Sequence, residues 1–262
     1  AADRPDIVGV TSTTENRFQS FRLVQLARQA APGAVTVLGG PHASMAAEDS
    51  LRHIPELDIV VRGEGEMTML DLVRALDRKR ATGAVGHIAG ISYRQDGRIV
   101  ANPPRSPITN LDGLPFPAFH LVPFDKYNFK IDVPGHGPLQ AVNIMTSRGC
   151  PFNCNFCATP INWGRAVRMR TTDNVVAEIE EHVEKRGARV IFFYDDTFNV
   201  SVGRVGESCR KMIERRLDVF WRAEIRLDLM TKPLLARMKQ AGLFHVSFGI
   251  EAGSERVRNS VI

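Results

Sequence analysis

Residues 146–157 read Thr-Ser-Arg-Gly-Cys-Pro-Phe-Asn-Cys-Asn-Phe-Cys, which sets Cys150, Cys154 and Cys157 in the spacing CxxxCxxC. The preceding apolar run, Val142 to Thr146, predicts a β-strand, so the cysteines fall on the loop at a strand's carboxyl end. A loop this short, bent by Gly149 and Pro151, fits around one corner of an iron–sulfur cube. Three thiolates bind three irons and leave the fourth without a protein ligand. An open position is what a catalytic metal needs, whereas a structural site is closed. Structural zinc fits less well, because its ligands usually come in paired CxxC or Cys/His spacing, and the nearest downstream histidine, His182, lies in a predicted helix. A disulfide framework also fits poorly: four cysteines in 262 residues, three of them clustered, point to an intracellular chain. Cys209 stands alone in a helical pattern and reads as a buried free thiol.

Beyond the loop, strands and helices alternate. Asp173 to Arg186 predicts a helix that buries Val175, Val176, Ile179 and Val183 and stops at Gly187. Val190 to Tyr194 predicts a second strand, ending in Asp195-Asp196-Thr197-Phe198, and Val219 to Leu229 contains a third. Thr231 caps the next helix, with Pro233 in its first turn, and Phe244 to Ile250 forms a fourth strand closing with Glu251. Four such units in series predict part of a parallel (βα) barrel. Alternation places Glu224, Arg226 and Asp228 on one face of the third strand, opposite Ala223, Ile225 and Leu227. In the fourth, His245, Ser247, Gly249 and Glu251 oppose Val246, Phe248 and Ile250. The apolar rows suit the outer, helix-packed face, which turns the polar rows inward, either toward a ligand or toward one another as paired charges.

Upstream, strands are expected over Asp6 to Thr13, Val35 to Leu38 and Asp58 to Val61, with helices over Asn16 to Ala31 and Met67 to Leu76. The first helix shows a broad apolar face of Phe18, Phe21, Leu23, Val24, Leu26 and Ala27. Glycines at the strand ends, such as Gly39-Gly40, argue for a Rossmann-like, doubly wound parallel sheet that binds ligands at its carboxyl edge. A hairpin turns at Gln95-Asp96-Gly97. Eight of the fifteen prolines then fall between Pro103 and Pro138, a density that blocks long helices and predicts a linker over 102–140. The expected organisation is therefore α/β, with a partial Rossmann-like domain over 1–101, the linker, and a partial barrel over 141–262. The net charge of +5 is dispersed without a basic run, which speaks against a nucleic-acid partner. No apolar stretch approaches the roughly 20 residues that span a bilayer. The absence of an initiator methionine, and boundaries falling beside strands, predict a piece of a longer protein.

The cysteine run, with Phe156 before its last cysteine, resembles that of the radical S-adenosylmethionine (SAM) enzymes. The resemblance implies a [4Fe–4S] cluster on Cys150, Cys154 and Cys157, SAM on the open iron, and its reductive cleavage to a 5′-deoxyadenosyl radical. It also implies a six-stranded partial barrel. Ser12-Thr13-Thr14 and Gly39-Gly40 resemble the later part of a cobalamin-binding signature, so Ser12, Thr14, Gly39 and Gly40 are expected to line a corrinoid site. The family's upstream DxHxxG element is absent from this chain, and His42 reads as a turn residue rather than a cobalt ligand. Asn110 to Pro123 resembles the connector of cobalamin-dependent members. By the same resemblance Asp195 and Asp196 are nominated for the SAM amino group, Glu251 for its ribose, and Arg226 for its carboxylate, with Glu224 and Phe156 beside them. The implied function is methyl transfer to an unactivated centre. The alternatives are oxidative ring closure of the anaerobic magnesium-protoporphyrin ester cyclase type and a non-catalytic corrinoid module. The implied partners are a small-molecule substrate and an electron donor such as flavodoxin or ferredoxin, in the cytoplasm.

Overall fold

A computed structural model describes residues 4–79, 85–127 and 129–261. The chain divides into two compact units, one comprising 1–108 with 161–163 and the other 109–160 with 164–262. No helix among the described residues is long and apolar enough to cross a membrane.

The first unit is built on β1 (Ile7–Thr11), α1 (Arg17–Ala30), β2 (Val35–Gly39), α2 (Pro41–Met45), α3 (Ala47–His53), β3 (Ile59–Val61), α4 (Gly65–Lys79), β4 (Ile91–Gln95) and β5 (Arg98–Ala101). Its five strands lie in the order β1-β2-β3-β4-β5. The first three pair in parallel, while β4 and β5 add an antiparallel hairpin to the edge. Alternation along β2 and β3 sends Val37, Ile59 and Val61 into a core with Leu72 and Leu76 of α4. Leu38 and Val60 enter a second core with Val24, Ala43 and Leu51. Both faces of the sheet are thus covered, as expected for a doubly wound fold.

Helix α1 departs from the expected apolar face. Only Ser20 and Val24 are buried on it, and Phe18, Leu23 and Leu26 are exposed. At about 100° per residue, Leu23 and Leu26 lie on the side away from Phe21 and Val24, so the six apolar positions never shared one stripe. His42, read as a turn residue, lies in α2, and α3 follows it. Pro41 opens α2, a position where its missing N–H costs nothing.

The second unit contains β6 (Lys130–Val133), β7 (Gly137–Ile144), β8 (Ser147–Arg148), the first half of α5 (Thr159–Asn162), β9 (Arg168–Met169), α6 (Thr172–Arg186), β10 (Val190–Phe193), α7 (Val202–Glu214), β11 (Phe220–Glu224), α8 (Lys232–Gln240), β12 (Leu243–Ser247) and α9 (Glu255–Val261). Strands β7, β10, β11 and β12 run parallel in the order β12-β11-β10-β7, and β6 pairs antiparallel outside β7. The sheet curls as a partial barrel. Val142, Ile144, Phe193, Trp221 and Ala223 pack against Val175 and Ile179 of α6, Cys209 and Met212 of α7, and Met238 of α8. Thr171 and Thr231 cap α6 and α8 by accepting the backbone N–H three residues on, and Gly187 ends α6 at φ 59°.

The expected linker is partly wrong. Residues 130–133 and 137–140 are strand, joined by a turn containing Pro134. Pro138 is tolerated because β10 pairs with β7 only from Ala141 onward. The segment from Leu111 to Lys126 runs in short 3₁₀ turns. In it Phe119 meets Phe124 at 5.5 Å, His182 of α6 at 5.0 Å and the Arg186 guanidinium at 4.5 Å.

Candidate active site

The cysteine loop begins where β7 ends, and buried hydrogen bonds fix its first residues. Asp195 Oδ1 accepts from Thr146 N at 3.0 Å, Thr146 Oγ1 at 3.0 Å and Ser147 Oγ at 2.6 Å. Arg204 then donates to the Thr146 carbonyl at 2.9 Å. Gly149 sits at φ 91°, and a Cβ there would meet the Ala166 carbonyl oxygen at 2.5 Å, so only glycine fits this close approach. Farther round, Arg165 holds the Phe152 carbonyl at 2.8 Å and the Asn153 side chain at 2.7 Å. Cys157 N donates to the Cys154 carbonyl at 3.2 Å, and Asn155 reaches the Ser260 carbonyl of α9 at 3.0 Å.

This loop brings Cys150, Cys154 and Cys157 to one cavity of about 730 Å³, at the carboxyl ends of β10, β11 and β12. Each sulfur has a donor or hydroxyl partner: Thr197 Oγ1 lies 3.5 Å from Cys150, Arg226 Nη1 3.9 Å from Cys154, and Thr159 N 3.5 Å from Cys157. Among the described residues, no three His, Cys, Asp or Glu side chains converge on one metal ion. A cube does not require that, since each cysteine binds its own iron. Three cysteine side chains on one cavity fit a three-cysteine cluster.

Phe156, Asp196, Glu224, Arg226 and Glu251 line the same cavity. Asp196 accepts from Thr159 Oγ1 at 2.9 Å, and burial holds its carboxyl above the usual range. Asp195 does not line the cavity and corrects the expectation for it. Just past the end of β10 it turns under the loop start and is buried there, where loss of solvent raises its pKa against the pull of its donors. Its role is to hold the loop. The inward alternation of Glu224 holds, but β11 ends there and Leu227, expected on the outer face, also lines the cavity. Past Ser247 the alternation of the fourth strand fails likewise: Phe248 and Ile250 line the cavity beside Gly249 and Glu251. No β11 pairing extends beyond Glu224↔Ser247, so nothing holds the chain extended, and Glu251 turns to φ 65°.

Four contributors were missed by the sequence reading. Fully buried Asn199 donates to the Arg226 carbonyl at 2.8 Å and accepts its N–H at 2.9 Å. Phe152 lies under the Arg226 guanidinium at 3.8 Å. Thr159 and Thr197 face the cysteines. Phe152 within the cysteine loop, Thr159 two residues after Cys157 and Thr197 next to Asp196 carried a local signal, and Asn199 carried none.

The expected corrinoid residues meet in the first unit, at the carboxyl edge of β1 and β2. Ser12 N donates to the Gly39 carbonyl at 2.9 Å, and His42 N to the Ser12 carbonyl at 3.0 Å. Thr14 is exposed, with its hydroxyl 3.3 Å from His42 Nδ1. Ser12 is fully buried, its hydroxyl on the Thr13 carbonyl, so that hydroxyl does not line an open surface. Gly40 also departs from expectation. A Cβ there would meet Ser12 O and Thr11 Oγ1 at 2.7 Å, so its lack of a side chain serves the chain's own packing. Gly39 is different: a Cβ on it would meet only Val61 O, at 4.0 Å, which leaves open backbone for a flat ligand.

Comparison with known proteins agrees with both halves of this reading. Residues 144–261 match the radical SAM superfamily and residues 1–73 the B12 binding domain. An uncharacterized methyltransferase of Pyrococcus horikoshii is 36% identical over 253 residues, covering 97% of this chain and 53% of that protein. The anaerobic magnesium-protoporphyrin IX monomethyl ester cyclase of Rubrivivax gelatinosus is 36% identical over 255 residues, covering 96% of this chain and 45% of the cyclase. The chain thus spans about half the length of these relatives. The radical SAM methyltransferase TsrM of Kitasatospora setae shares the fold, with a TM-score of 0.77 at 19% identity over 96% of this chain and 49% of TsrM. Carrying a B12-binding domain followed by a radical SAM domain with its three-cysteine loop, the chain belongs to the B12-binding radical SAM enzymes.

Proposed function

We propose that the protein is a cobalamin-dependent radical SAM methyltransferase acting on an unactivated carbon or phosphorus of a small molecule. The observation that carries this reading is the convergence of Cys150, Cys154 and Cys157 with Asp196, Glu224 and Glu251 on one cavity. A [4Fe–4S] cluster bound there supplies the electron that cleaves SAM, and cobalamin supplies a methyl carrier. Cys150, Cys154 and Cys157 hold the cluster. Asp196, carrying a raised pKa, and Glu224 face the cavity as acceptors for the SAM amino group, and Glu251 for its ribose hydroxyls. Phe156 offers an apolar face beside them. In the first unit, Thr14 and Gly39 present the open edge for cobalamin, with Ser12 and Gly40 shaping it. The domain assignment follows: 1–101 for cobalamin, a connector from 102 to 129, and the remainder, with the β6–β7 hairpin, for radical chemistry. An electron donor of the flavodoxin or ferredoxin class, in the cytoplasm, completes the system.

Ring closure is the second reading, favoured by a cyclase relative as similar as the methyltransferase one. The complete protein, reconstituted with iron, sulfide and cobalamin and supplied with SAM and a reductant, separates them. Methyl transfer releases S-adenosylhomocysteine along with 5′-deoxyadenosine. Release of 5′-deoxyadenosine alone would overturn methyl transfer in favour of the cyclase reading.

A further inference from the structure

Arg226 is committed on every side. Its Nε and Nη2 grip the two oxygens of Asp228 at 3.0 and 2.8 Å, leaving Nη1 directed at Cys154 Sγ, 3.9 Å away. The guanidinium stacks on Phe152 at 3.8 Å, in the same loop as Cys154. Its backbone is pinned on both sides by the buried amide of Asn199. A side chain held by a bidentate carboxylate, an aromatic face and a clamped backbone is pre-organised toward that one sulfur.

We propose that Arg226 is a positioning residue that tunes the reduction potential of the cluster through Cys154, instead of serving as the ligand of the SAM carboxylate. The inference rests on the cluster assignment made above. Reduction adds one negative charge to the cluster and its thiolates. A cation and an N–H donor at the sulfur favour the reduced form, so they raise the potential. Asp228 opposes this by cancelling part of the arginine's charge. The pair therefore acts with opposite signs: removing Arg226 lowers the potential, and neutralising Asp228 raises it.

The test is the intact protein reconstituted anaerobically without SAM, with iron assayed first and the reduced fraction then followed by electron paramagnetic resonance against applied potential. Arg226→Gln should be about tenfold less readily reduced at a fixed potential, which for one electron is about 59 mV lower. Arg226→Lys, which keeps the charge but loses the fork, should fall between it and the unsubstituted protein. Asp228→Asn should shift the other way. If Arg226→Gln takes up no cluster, the lysine and asparagine variants still decide the sign. Midpoints unchanged in all iron-loaded variants, with SAM binding weakened in Arg226→Gln, would overturn the proposal and return Arg226 to the carboxylate. An unsubstituted protein that takes up no iron would instead overturn the cluster reading, and this proposal with it.

Discussion

Gly39 and Gly40 are neighbours in a motif read for a ligand, yet the structure gives them opposite roles. At Gly40 the backbone is at φ 93°, and a Cβ would meet Ser12 O and Thr11 Oγ1 at 2.7 Å and Ser12 N at 2.8 Å. An alanine there costs about 1–3 kcal/mol, because φ 93° with ψ 177° is backbone open essentially to glycine alone. Displacing the neighbouring backbone adds about 1–3 kcal/mol, as overpacking does, and the alanine recovers about 0.4–1 kcal/mol from unfolded-chain entropy. The net loss for Gly40→Ala is about 1–6 kcal/mol. Gly39→Ala meets only Val61 O at 4.0 Å and should be neutral or slightly stabilising. Native-state hydrogen exchange of the β1 and β2 amides reads this unit directly. Gly40→Ala should lower their protection by about fivefold or more, and Gly39→Ala should not. Equal protection in the two variants would refute the reasoning. So would intact protection in Gly40→Ala with lost cobalamin binding, which would return Gly40 to a ligand-facing role.

Asn199→Leu should cost about 2–4 kcal/mol by urea titration, from two lost hydrogen bonds and two Arg226 backbone groups left unpaired; a loss under about 1 kcal/mol would mean that water replaces the amide. Asp195 has a folded pKa above its ordinary 3.8, so the stability it contributes is complete below that value and is lost as pH rises through the folded pKa. Asp195→Asn removes that loss, and its urea midpoint should gain on the unsubstituted protein as pH rises above 3.8; parallel pH curves would contradict the assignment.

What was legible in the sequence was local. The CxxxCxxC loop, the Thr231 cap and the Gly187 stop each depend on residues within a few positions, so spacing alone revealed them. The parallel strands of both units were legible through runs of apolar residues bounded by glycine or acidic pairs. What failed needed tertiary knowledge. The β6–β7 hairpin hid beneath proline density, because the tolerance for Pro138 depends on where β10 begins to pair. Asp195 and Asp196 looked equivalent in sequence, but only Asp196 faces the cavity, because Asp195 turns under the loop start just past the end of β10. The Asn199 clamp on Arg226 spans 27 positions and has no local signature. Gly40 looked like ligand space because a glycine's reason for being small is invisible until its neighbours are placed.

The central claim is that Cys150, Cys154 and Cys157 hold a single [4Fe–4S] cluster, and iron content tests it most directly. Anaerobic reconstitution of the intact protein should give about four irons per chain with a visible charge-transfer band. Alanine at any one of the three cysteines should remove most of both. Cys209→Ala should change neither, because that thiol is buried in the core and burial pushes its pKa up to about 12. Full iron and an unchanged band in Cys150→Ala, Cys154→Ala and Cys157→Ala would contradict the account.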